Sequence, residues 1–129
     1  MATRLDIADN VAATIAAAGM DATASMAKMG RHAECCCVQL VEPSGDEYQD
    51  GSLDATLRVE VFVKRETEEA ARDAIATVEG LFHRNPPVSA NGSYEATSIG
   101  LVGPRAIQWD DAGFYVQELT LLVAATRRY

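Results

Sequence analysis

Leu53-Asp54-Ala55-Thr56-Leu57-Arg58-Val59-Glu60-Val61-Phe62-Val63-Lys64 is the stretch that decides the fold. Leu53, Ala55, Leu57, Val59, Val61 and Val63 alternate with Asp54, Thr56, Arg58, Glu60, Phe62 and Lys64, the period of a strand with one face in a core. Phe62 is the one bulky apolar residue on the outer side, so it either packs under a loop or marks a subunit contact. Immediately after, Thr67 is placed to cap a helix, with Glu66, Glu68 and Glu69 at its positive end. Ala70, Ala71, Ala74, Ile75, Val78, Leu81 and Phe82 then form one apolar stripe that must lie on the sheet. Asn85-Pro86-Pro87 stops this helix, His83 sits at its negative end, and Asn91-Gly92 marks a turn.

Upstream, residues 3 to 18 read as a helix, with Leu5, Ala8, Val11, Ala12 and Ile15 at helical spacing. Thr3 and Asp6 have the spacing of a capping box, and Gly19 suits the left-handed position after the last turn. The pattern dissolves from Met20 to Arg31, where three methionines lie among small residues. That composition fits a loop packed on its own domain or an arm that orders against a neighbour. A strand over 33 to 42 is expected to end at Pro43-Ser44-Gly45, followed by an exposed acidic loop, Asp46 to Gly51. Downstream, three strands are expected, over Ser93 to Leu101, Pro104 to Trp109 and Phe114 to Thr126, with Asp110-Asp111-Ala112-Gly113 as a hairpin tip.

The order helix-strand-strand-helix-strand-strand-strand predicts one α+β domain over residues 1 to 129. It is a mostly antiparallel sheet of about five strands, with two helices packed on one face.

Eleven basic residues against nineteen acidic ones give a net charge of −8, a balance that repels nucleic acid and argues against a DNA-gripping surface. No apolar run is long enough to span a bilayer, and Asp6 and Asp9 follow Arg4 too closely for a signal sequence. Cys35, Cys36 and Cys37 are consecutive and odd in number. Alternation sends Cys35 and Cys37 to one face and Cys36 to the other, and buried reduced thiols are expected. His32 and His83 belong to no recognisable motif, and Asp110-Asp111 reads as a solvated turn rather than an acid/base pair. Gly100-Leu101-Val102-Gly103-Pro104 lacks the lysine of a phosphate loop and reads as a bend or bulge. No catalytic site, metal or cofactor is expected.

Taken together, several segments resemble a known family. Leu57 to Arg65 runs straight into a helix carrying Glu69-Ala70-Ala71 and Asp73-Ala74-Ile75. Gly103-Pro104-Arg105, Trp109 to Phe114 and a long terminal strand ending in Arg127-Arg128 follow. This looks like the tail terminator family of long-tailed phages and viruses, over residues 4 to 128. The resemblance implies a structural protein of the virion neck, assembled in the host cytoplasm. It implies a ring of copies of this chain, typically six, on the last ring of tail-tube protein. That ring ends tail growth and offers a docking face to the head-tail connector or head-completion protein. The genome passes through its lumen without specific binding, which an acidic wall favours; no membrane is involved. The interface candidates are Asp46, Glu47, Tyr48 and Asp50 of the acidic loop, Phe62, and Asp110 and Asp111 of the tip. Two other readings are a tail-tube or head-completion protein, and a small intracellular α+β enzyme or ligand-binding protein.

Overall fold

The computed structural model describes residues 4–47, 53–109 and 112–127. Its elements are α1 (Ile7–Ala17), β1 (Ala22–Thr23), a 3-10 turn (Ala27–Gly30), β2 (Cys35–Glu47), β3 (Leu53–Arg65), α2 (Glu68–Phe82), β4 (Tyr94–Ile107) and β5 (Tyr115–Arg127). The strands form one sheet in the order β1-β2-β3-β5-β4. All neighbours are antiparallel except β1 and β2. The fold is α+β with a mostly antiparallel sheet, and both helices cover the same face.

The alternating strand lies at the centre because its inward side is wholly aliphatic. Leu57, Val59, Val61 and Val63 are 0% exposed. They meet Ile7, Val11 and Ile15 of α1 and Ile75, Val78 and Phe82 of α2 in one core, joined from β5 by Leu119, Leu121 and Val123. α2 starts as its sequence requires: the Thr67 hydroxyl accepts the Ala70 N–H at 3.1 Å. The chain leaves α2 through Arg84, whose φ of 57° is the left-handed turn after the last helical residue. Gly19, at φ 95°, does the same for α1.

Three expectations are corrected by this architecture. Pro43-Ser44-Gly45 does not end β2: the register shifts between Val41 and Ser44, and pairing resumes from Ser44↔Thr56 to Glu47↔Leu53. One extra residue on β2 is absorbed as a bulge, which accommodates a proline that has no N–H to give. Likewise the two strands expected over 93–101 and 104–109 are one, β4, with a register shift between Val102 and Arg105. There Gly103 takes φ 99° before a cis bond to Pro104. A Cβ at Gly103 would stand 3.2 Å from the Glu118 carbonyl oxygen, so the bulge requires glycine. The fifth strand is instead β1, two residues from the methionine-rich segment, laid parallel against Cys36 and Cys37.

The capping box is the third. Thr3 lies outside the described residues, and the Asp6 side chain makes no cap to its own helix. It turns to a distant loop, described below.

Candidate assembly surfaces

The face of the sheet away from the helices is read row by row from the register. Cys37, Phe62, Glu118 and Arg105 form one row, and Gln39, Glu60, Thr120 and Val102 the next. Val41, Arg58, Leu122 and Gly100 form the third. This face is polar in its middle. Gln39 donates to Glu60 at 2.9 Å, and Arg105 reaches the buried Glu118 at 3.4 Å. β3 has 13 residues, so roughly 40 Å separate the two ends of the sheet.

At one end stands the β2–β3 hairpin. Tyr48 and Asp50 lie outside the described residues. Asp46 and Glu47 do not belong to a loop, as expected from sequence, but to the ladder itself, opposite Asp54 and Leu53. The register brings two further carboxylates to this end: Asp54 pairs with Thr126, and Thr126 with Glu95 of β4. The Thr126 hydroxyl donates to Asp54 at 3.0 Å. Asp46, Asp54 and Glu95 therefore share one row across four strands. Sequence reading missed Glu95 because only strand order brings it into the row of Asp46, and missed Asp54 because it reads there as one more outward residue of the alternating strand.

Close to the same end, the loop from Pro86 to Gly92 is held by one carboxylate. Asp6 accepts bonds from the Ser89 hydroxyl at 2.8 Å, the Ala90 and Asn91 N–H groups at 2.9 and 3.0 Å, and the Ser93 hydroxyl at 3.1 Å. Burial alone raises its pKa, but these bonds to the charged form outweigh it, and the carboxyl titrates below its ordinary value. Tyr94 locks the loop from below, donating to the Pro87 carbonyl at 3.1 Å. Val88 is left 83% exposed at the apex of a braced loop.

The opposite end is built differently. Phe62 is 7% exposed, packed with Met29, Cys35, Cys37 and Val116 in a second cluster that Met26, Ile107 and Trp109 flank. Of its two sequence readings, packing beneath a loop is the one seen, and the methionine-rich segment is that loop. Its backbone is fixed by Lys64, which is 0% exposed and donates to the carbonyls of Met29 at 3.2 Å and Arg31 at 2.6 Å. The ammonium also lies 4.8 Å from the Phe114 ring centre. Trp109 adds an indole N–H to the Met29 carbonyl at 3.2 Å. Nothing in the alternation of β3 distinguishes Lys64 from a solvated lysine, and its burial depends on the overlying segment. The tip residues Asp110 and Asp111 lie outside the described residues.

Cys35, Cys36 and Cys37 are free and buried, with Cys36 in the main core and the others in the second cluster. Burial is the main cause that pushes Cys35 up to about 11 and Cys36 up to about 12, so both are protonated at neutral pH. Among the described residues, no group of three or more His, Cys, Asp and Glu side chains is placed to hold a metal ion. No helix there is long and apolar enough to cross a membrane.

An α+β subunit with two unlike ends and long strands is a part suited to an assembly. The family model for bacteriophage tail terminator proteins matches residues 13–127, and the chain belongs to that family. No curated protein matches the chain. The family makes it a structural component of the phage tail that associates with other virion parts.

Proposed function

We propose that copies of this chain form a ring that caps the tail tube, ends its polymerisation and presents the docking face for the head connector. The observation that carries this reading is the difference between the two ends of the sheet. A terminator needs one face that binds the last tube ring and another that no further tube subunit can use. Here one end gathers Asp46, Glu47, Asp54 and Glu95 beside a braced loop. The other is closed by the methionine-rich segment over buried Phe62 and Lys64, and its exposed charges are those of Glu34, Glu66 and the first turn of α2, beside a part-buried Arg65. Charge complementarity chooses partners and sets docking rates, so ends this different select different partners. The genome passes through the lumen without specific binding, helped by the net charge of −8.

The reading is tested by adding the purified protein to polymerising tail-tube protein from the same phage. Tube length falls as the added concentration rises, and the capped tubes carry the protein at one end only. Incorporation along the whole tube contradicts the reading and favours a tail-tube protein.

A further inference from the structure

We propose that copies of this chain join edge to edge, the middle of β4 on one copy pairing with the bare edge of β2 on the next. β4 is the last strand of the sheet, with no strand on its outer side among the described residues. Such an edge offers unpaired N–H and C=O groups, and soluble proteins blunt it with charge, proline or bulges. β4 carries its bulges near Thr97 and Gly103-Pro104, at the two limits of a regular piece that pairs from Ser98↔Ala124 to Val102↔Thr120. From Ala96 to Gly103 the sequence holds no ionisable side chain. Val102 stands 56% exposed there. Five residues of strand, roughly 17 Å, thus pair regularly and carry no charge.

The opposite edge of the sheet has room to receive such a strand. β1 pairs only with Cys36 and Cys37. Beyond them, the start of α1 and residues 24–26 stand back from β2 around a cleft of about 570 Å³, walled by Leu5, Val38 and Leu40 together with the charged Arg4, Asp9 and Arg127. The occupant we assign is a second copy. At a net charge of −8, copies repel wherever carboxylates face each other, and the middle of β4 is an approach without them. This contact uses opposite edges of one sheet, so it is heterologous and repeats from copy to copy. In that respect it rests on the ring proposed above. β4 against β4 would be isologous and would stop at two.

Disulfide trapping tests the contact. Gly100 and Val41 lie in one row on one face, so a sheet continuing between copies keeps them on the same side. A Cβ at Gly100 meets no atom within 4 Å. Gly100→Cys combined in turn with Gln39→Cys and Val41→Cys should give, on mild oxidation, a series of covalent multimers ending at the ring. The three single variants should give none. Ser98→Glu with Gly100→Glu should keep the melting curve of the parent and lose association in light scattering. Covalent dimers from Gly100→Cys alone overturn the proposal in favour of an isologous pair. A ring by light scattering with no links in either double variant overturns the edge contact but leaves the ring standing. A protein that stays monomeric both alone and on tails overturns both.

Discussion

The carboxylate of Asp6 accepts the backbone N–H of Asn91 at 3.0 Å across 85 residues of sequence. It thereby ties the start of α1 to the loop that precedes β4. Because the same group holds Ser89, Ala90 and Ser93, Asp6→Ala leaves one buried donor, the Ser93 hydroxyl, and three part-buried ones without this partner. A cost of about 3 kcal/mol is expected in denaturant melts.

The pH dependence of this tie follows from the lowered pKa of Asp6. Its contribution is fully present above the ordinary value of 3.8 and is lost as pH falls through the lower folded value. The stability gap between the parent and Asp6→Asn is therefore constant above about pH 5 and narrows below it. A gap that widens on acidification contradicts the assignment.

Val61 is 0% exposed on the inward side of β3, beneath both helices. Val61→Asp puts an unpaired carboxylate there at a cost of several kcal/mol, enough to unfold a marginal domain. A soluble Val61→Asp variant with a cooperative melt shows that the face is wrongly assigned.

The inner face of β3 and the stripe of α2 were legible because each is a clean periodic pattern whose period matches its element. Cys36 was legible for the same reason, turning opposite to Cys35 and Cys37. β4 was not legible as one strand. Gly103-Pro104 is the usual sign of a break, and only the carbonyl of Glu118 on the next strand shows that a bulge is accommodated. Asp6 has the spacing of a cap, yet tertiary donors from residues 89–93 win the carboxylate. Of the candidate interface, Phe62 was legible as an outward aromatic but not as the floor of a cluster. That depends on where the methionines land.

The three thiols are expected to be reduced and, being buried, slow to react. A thiol reagent near neutral pH should modify the folded protein slowly and all three cysteines once denaturant is added. Replacing all three with serine costs roughly 1–2 kcal/mol per buried site without changing assembly. Stoichiometric zinc in the parent, absent from the triple variant, contradicts this account.

The acidic end should act through charge. Replacing Asp46, Glu47 and Asp50 with alanine leaves the subunit folded, since the ladder from Ser44↔Thr56 to Glu47↔Leu53 is a backbone pairing that alanine keeps. Joining to tails or heads in vitro becomes slower, and the loss is largest at low salt, where charge steering is least screened. Joining that is unchanged at every ionic strength moves the docking function away from this end.

The most direct test of the terminator reading is the distribution of tail lengths, by electron microscopy, in phage lacking this gene. The account predicts overlong tails of variable length together with unattached, DNA-filled heads. Tails of normal, uniform length contradict it and place the protein in head completion instead.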